Sequence, residues 1–381
     1  MITDITLFSV TYCFLLRTGP AMNRLRTAMP DKIRKKLGSS STVCLLNGAD
    51  VFSLLSDDAS IVMGCNPRIH HVIPGIMRAA EELDAVVAFE LTKTEGGLDG
   101  GYTGQTPELF ASTVIDYAER FHFTRPFIIH ADHLTVHDAT PREFAEAERL
   151  LEAQLSAGFT SFAIDASFNA LEENIDIVRR LAALIREEGF GLEVELGEPK
   201  AGERNAPLTS VEETAAFLAG LAERGVRPLL LAINNGSRRG NYLEGESVNI
   251  ELELTGEIFR KAREFGVAGL VQHGITGTPL RIVGKLADYG IRKGNIGTLW
   301  QNVAHAGLPL ELMDEMRQWA RANRRDIKYA TGVFKEEIDA IPDENIAMIN
   351  DIAYREAREF LTAFRAKGSA SRLANRLEQM R

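Results

Sequence analysis

The stretch Phe127-Ile-Ile-His-Ala-Asp-His133 decides the fold. A short apolar, β-branched run ends in polar residues, and the segment Pro141–Ala157 behind it carries apolar positions at three- and four-residue spacing. That is a buried strand followed by an amphipathic helix. Working outward, similar runs occur at Ser60–Asn66, Ala85–Thr92, Ser161–Asp165, Leu192–Leu196, Pro228–Ile233, Gly269–His273 and Ile291–Ile296. With Phe127–Asp132 they make eight strands. Helical patterns at Leu171–Glu188, Ser210–Arg224 and Leu254–Phe265 fall between them, and Thr209-Ser-Val-Glu-Glu supplies a capping start with Glu212 or Glu213 near the third helical position. Strands that alternate with helices predict an α/β fold, a (β/α)₈ TIM barrel over 58–307. An N-terminal segment (1–57) that packs on the barrel precedes it, with residues 23–57 read as helix, loop and helix, and a helical extension (308–381) follows.

The 381 residues carry a net charge of −10, with 45% hydrophobic and 25% charged residues. No chain-wide basic surface is available to neutralise phosphodiesters, so nucleic acid is excluded as the expected partner. Cys13, Cys44 and Cys65 are too few and scattered for a disulfide framework or a CxxC metal site, and a reducing cytoplasm fits them. The apolar stretch from Ile5 to Leu16 has Asp4 in front instead of basic residues, and it is too short to span a bilayer. We expect no membrane partner and a start at Met22 in place of Met1. Arg317, Arg321, Arg324 and Arg325 mark the C-terminal extension as a solvated helical face that could also hold oligomer contacts.

In a barrel of this kind the chemistry sits just past the C-terminal ends of the strands. Those positions hold His130-Ala-Asp132-His133, Asp165, Glu193 and Glu195, then Asn234 through Arg239-Gly240-Asn-Tyr242, His273-Gly274-Ile-Thr276-Gly277 and Asn295-Ile-Gly297-Thr298. His133 and His273 would project into one funnel from separate strands, beside carboxylates able to complete a metal shell. Two imidazoles and a carboxylate suit zinc, iron or a similar divalent ion, with positions left for substrate. His70, His71, His122, His137 and His305 are read as structural. The glycines and threonines after the seventh and eighth strands, Gly274, Thr276, Gly277 and Thr298, let backbone N–H groups and hydroxyls meet an anion, where barrels commonly hold phosphate.

From Ser60 to Ala304 these motifs, in this order, resemble the class II fructose-bisphosphate and tagatose-bisphosphate aldolase family. The carriers are His130-Ala-Asp132-His133, Ile164-Asp165-Ala-Ser167, Leu171-Glu-Glu-Asn174-Ile, Glu193-Val-Glu195-Leu-Gly197 and His273-Gly-Ile-Thr276-Gly277. The resemblance implies a metal-dependent lyase that cleaves or forms a C–C bond next to the ketone of a phosphorylated sugar or related anionic ketose, through a metal-stabilised enediolate. It implies His133, His273 and Glu195 as ligands of a divalent ion, expected to be zinc. By position it makes Asp132 the acid or base at the hydroxyl whose carbon leaves as aldehyde, and Glu203 the second proton-transferring group. Asn295 would bind the enediolate, while Gly240, Gly274, Thr276, Gly277 and Thr298 hold phosphate. A homo-oligomer, dimer or tetramer, is implied as well.

The chain departs from the family at three places. The third family histidine is Arg239, which has no lone pair to give a metal. The lysine of that segment is Leu243, and the acidic residue after Asn295-Ile is Gly297. Arg239 is therefore expected to bind an anionic part of the ligand, or to act as an electrostatic stabiliser in a metal-independent lyase. A non-catalytic sugar-phosphate-binding subunit is the remaining alternative. A Schiff-base mechanism is not expected, because no lysine lies in Pro228–Ile233, and Lys93 and Lys200 follow other strands.

Overall fold

The computed structural model describes residues 20–197, 207–237, 240 and 249–379. All eight expected strands form: β1 (Val62–Cys65), β2 (Val87–Thr92), β3 (Phe127–Thr135), β4 (Ser161–Asp165), β5 (Gly191–Leu196), β6 (Leu230–Ile233), β7 (Gly269–Gln272) and β8 (Ile291–Ile296). They pair in chain order, all parallel, and β8 closes on β1. The fold is a (β/α)₈ barrel.

The strands are buried along almost their whole length, as a sheet covered on both sides requires. Helices fall where the spacing put them. The helix Pro141–Ala157 starts at Thr140, whose hydroxyl accepts from Glu143 N, and the helix Val211–Glu223 opens with a capping box between Ser210 and Glu213. The N-terminal part differs from one helix, loop and helix: the described residues hold three short helices, α1 (Pro20–Thr27), α2 (Asp31–Leu37) and α3 (Gly48–Leu54). Pro30 and Gly38 bound the middle one, and neither continues a helix. The apolar stretch 5–16 lies outside the described residues.

Among the described residues two apolar cores result. The larger lies between strands and helices, with Phe89, Phe110, Phe127, Phe159 and Trp300 fully buried. The smaller joins interior residues at the N-terminal ends of the strands, such as Val62, Ala88 and Ile128, to Leu25, Phe52 and Leu373 of α1, α3 and the last helix (Ser369–Gln379). Those helices plug the bottom of the barrel, and the opposite end stays available for ligand.

The extension after residue 307 packs more intimately than a solvated face. Its helix Asp343–Ala363 buries Ile349, Ala353, Ala357, Phe360 and Leu361 and lies along the helix Ile73–Leu83 that follows β1. At the crossing, a Cβ on Gly75 would stand 2.3 Å from the carbonyl oxygen of Asn350 and 2.8 Å from the backbone nitrogen of Tyr354. Backbone atoms have no rotamer to turn away. Gly75→Ala is therefore expected to destabilise the protein by ~1–3 kcal/mol, as overpacking does; urea unfolding of the two proteins measures it, and equal stability would contradict this packing.

Candidate active site

Strand geometry decides which side chains meet at the open end. Alternate residues of a strand face the barrel interior, which sends Glu90 and Thr92, His130 and Asp132, Glu193 and Glu195, and Lys293 and Asn295 inward as pairs two residues apart. A regular strand would turn Asp132 and His133 to opposite sides. The structure avoids this with an irregularity: β3 does not end at Asp132 but runs to Thr135, and its register against β4 shifts between Ala131 and Leu134. Within the shift His133 takes φ 46°, a left-handed conformation uncommon for residues other than glycine. Both residues then line the same cleft. This corrects the expectation that His133 lies beyond the strand, whereas His273 does directly follow β7.

His133 Nδ1 lies 2.5 Å from Glu195 Oε1 and 3.4 Å from Asp165 Oδ2. The rings of His133 and His273 are 4.6 Å apart between centroids. One donor atom from each of His133, Glu195 and His273 falls within 4.8 Å of the other two, and all three residues are buried. Two nitrogen donors and one oxygen donor, gathered from three strands and open on one side to a cleft, fit a borderline divalent ion.

Asp132 sits beside this group. Its Oδ1 accepts from Asn295 Nδ2 at 2.9 Å and its Oδ2 from Asn66 Nδ2 at 3.1 Å. Burial alone would raise its pKa, but the neighbouring His133, Lys293, His273 and His130 overcome this and hold it at about 2. The carboxylate is thus ionised at neutral pH and able to take a proton.

A cleft of about 110 Å³ includes Asp132, His133, His273 and Asn295 in its walls, together with Gly240, Gly274, Thr276 and Thr298. Thr276 Oγ1 accepts from Leu299 N at 3.2 Å, which docks the loop after β7 on the first turn of the helix Thr298–Gly307. Four of the five residues expected at a phosphate therefore share one surface, and Gly277 is not among its walls. Glu203 and Arg239 lie outside the described residues.

A larger cavity of about 620 Å³ continues outward past Thr135, His137 and Asp165 to Tyr102 and to Asp326–Tyr329 of the C-terminal extension. His137 is among the walls of this cavity, packed edge-on against Phe168. Lys93, which follows β2, donates from its Nζ to Thr135 O at 2.8 Å. Sequence reasoning also missed Arg68, which lines both spaces. Its Nε donates to Glu95 Oε1 at 2.7 Å and its Nη1 to Gln301 Oε1 at 2.6 Å. A Cβ at Gly297 would stand 3.2 Å from Arg68 Nη2, so the glycine that replaces the expected acidic residue leaves room for this guanidinium.

Below the cleft lies a second layer, in which Glu193 is joined by two residues that no motif named. Lys293 Nζ is 2.7 Å from Glu193 Oε2 and 2.9 Å from Glu90 Oε1, with all three side chains fully buried. Burial opposes the charge on Lys293, but Glu193 and Glu90 outweigh it and raise its pKa. For Glu193 burial is likewise outweighed, chiefly by Lys293 and His130, and its pKa falls to about 2. Glu90 is left as the surplus acid: burial, with Asp132 and Glu193 nearby, pushes it up to about 8 despite Lys293. In the sequence Glu90 and Lys293 are each an ionisable residue in a strand run, and nothing in the run says that they meet.

The raised pKa of Glu90 has a sign that can be tested. The folded chain keeps a proton that the unfolded chain releases near 4.5, so stability from this group is whole below about 4.5 and is lost as pH rises toward about 8. Glu90→Gln removes that dependence. Between pH 5 and pH 8 the difference in unfolding free energy is expected to move in the variant's favour by on the order of a few kcal/mol. Denaturant titrations across this range check it, and a constant difference would show that Glu90 is ionised throughout.

A family model described as fructose-bisphosphate aldolase class-II matches residues 50–352. The fructose-bisphosphate aldolase of Staphylococcus epidermidis is 29% identical over 180 residues, which cover 46% of this chain and 55% of that relative. A probable fructose-bisphosphate aldolase of Bacillus subtilis is 29% identical over 225 residues, covering 58% of this chain and 70% of its own length. Among solved structures, the YdjI aldolase of Escherichia coli K12 superposes with a TM-score of 0.61 at 20% identity, over 86% of this chain and 100% of that one.

Proposed function

Because the chain belongs to the class II fructose-bisphosphate aldolase family, we propose that it is a carbon–carbon lyase, acting next to the ketone of a phosphorylated sugar or related anionic ketose. The observation that carries this reading is the convergence of His133, Glu195 and His273 beside an ionised Asp132 on one cleft. When bound there, a divalent ion, expected to be zinc, supplies Lewis-acid stabilisation of the negative charge that develops on the ketone oxygen.

The chain's own residues do the rest. In the cleavage direction Asp132 takes the proton of the hydroxyl next to the breaking bond, that C–O becomes the aldehyde C=O, and the bonding electron pair stays on the ketone half. Asn295, which holds Asp132 Oδ1, is placed to donate to the oxygen carrying that charge. Glu203 is assigned by resemblance to return a proton to carbon. Gly240, Gly274, Thr276 and Thr298 hold the phosphate, and Arg239 takes a further anionic part of the substrate. We carry over assembly as a dimer or tetramer, and a place in the cytoplasm, as parts of the same reading; no helix among the described residues is long and apolar enough to cross a membrane.

Incubation with a panel of ketose phosphates tests the proposal, with the released aldehyde and ketone phosphate followed by NMR. Cleavage that stops on chelation and returns with a divalent ion is the expected result. Turnover indifferent to chelation would favour Arg239 as the electrostatic stabiliser in a metal-independent lyase.

A further inference from the structure

Among the described residues the interior holds two groups able to surround a cation, not one. Besides His133, Glu195 and His273, the residues His130, Asp132 and Glu193 bring one donor atom each within 4.8 Å of the others, and all three are buried. Two members of the second group lie one layer deeper, His130 two positions before Asp132 and Glu193 two before Glu195, while Asp132 reaches it from the cleft. His130 Nε2 stands 3.4 Å from Glu193 Oε2, and His130 Nδ1 is tied to Ser161 Oγ at 2.8 Å. Glu193 Oε1 meets no hydrogen-bond donor among the described residues. By donor chemistry alone this would be a second divalent-ion site.

The space beside it is taken by a positive charge of the chain's own. Lys293 reaches in from β8 to 2.7 Å from Glu193 Oε2, and Glu90 Oε1 holds the ammonium from the other side at 2.9 Å. Glu90 reaches this position because the residue facing it on β1 is Gly64, where a Cβ would stand 2.6 Å from Glu90 Oε1. A glycine on β1, a glutamate on β2 and a lysine on β8 thus combine to build the ammonium's seat. We propose that Lys293 is the resident cation of the deeper group, standing where a second divalent ion would otherwise bind.

The consequence is for Asp132. An ion in the deeper group would take an Asp132 oxygen as ligand and withdraw it from proton transfer. An ammonium supplies positive charge nearby but leaves both oxygens to Asn66 and Asn295, accessible from the cleft. Lys293 is in this sense a positioning residue. The inference rests on the aldolase reading only for the identity of the upper ion, since its own readout is the gain of one ion when Lys293 is removed.

The test counts zinc per chain by elemental analysis after equilibrium dialysis against free zinc. Cobalt(II) in place of zinc gives a second readout through its visible absorption. The unmodified protein is expected to hold one ion, Lys293→Met two, and Lys293→Met with His130→Ala one again. Lys293→Met strands two buried carboxyl groups, so where it fails to fold the measurement is made on Lys293→Met with Glu90→Gln, which removes one of them. Two ions in the unmodified protein would overturn the proposal, as would a folded Lys293 variant with no more ions than its parent. An unmodified protein without any ion would count against the upper metal site, and the gain of one ion in the variant would still establish the deeper one.

Discussion

Asp132→Asn is expected to lower turnover by ~10²–10⁴, the span of a single general acid or base, while ligand affinity stays within a few-fold of the parent. The replacement is nearly isosteric, so the effect isolates charge and proton transfer. In the parent both Asp132 oxygens accept from amide groups, Asn295 at 2.9 Å and Asn66 at 3.1 Å. An amide at position 132 offers one acceptor and one donor, so one of the two asparagines must turn its own oxygen inward. Where the new amide presents its own oxygen to Asn295, Asn66 is the one that turns, and Asn295 Nδ2 keeps its orientation. Binding survives that rearrangement, but a neutral amide cannot take the hydroxyl proton. Steady-state kinetics with calorimetric titration of a ketone phosphate separates the two effects, and unchanged turnover would remove Asp132 from the mechanism.

His133→Ala and His273→Ala carry the second large effect. Each leaves a group that had three protein donors with two, and loss of a direct ligand should exceed the ~10–100-fold that outer partners typically contribute to metal affinity. We expect zinc affinity to fall by more than ~100-fold in either variant, with turnover lost in parallel. His130→Asn, one layer below, should leave the upper ion in place. Competition against a chromophoric chelator measures the affinities, and undiminished zinc binding in His273→Ala would dissolve the proposed shell.

The barrel was legible because its strands are short, apolar and regularly spaced, and helices such as Pro141–Ala157 carry their own caps. The site was legible where residues stand at strand ends, His273 directly after β7 and Asn295 next to last in β8. It was less so wherever geometry depends on a local break in period. The left-handed turn at His133, which puts two consecutive residues on one surface, has no glycine or asparagine to signal it. Lys293 and Glu90 were invisible for a different reason: each looks like a lone charge in a strand, and only closure of the barrel brings β2, β5 and β8 to one axis. The reach of Asp326–Tyr329 into the mouth depends on long-range packing of the extension, where Gly332 N donates to Tyr102 O at 2.8 Å. Charge content alone made that segment read as a solvated surface.

The central claim is that a divalent ion held by His133, Glu195 and His273 enables the chain to carry negative charge on a ketone phosphate. Solvent exchange tests this without any knowledge of the aldehyde half. Dihydroxyacetone phosphate incubated with the unmodified protein in D₂O should gain deuterium at its hydroxymethyl carbon, lose that gain when the protein is stripped with a chelator, and regain it on addition of zinc. Exchange that persists in stripped protein, or that is absent with every divalent ion supplied, would contradict the account.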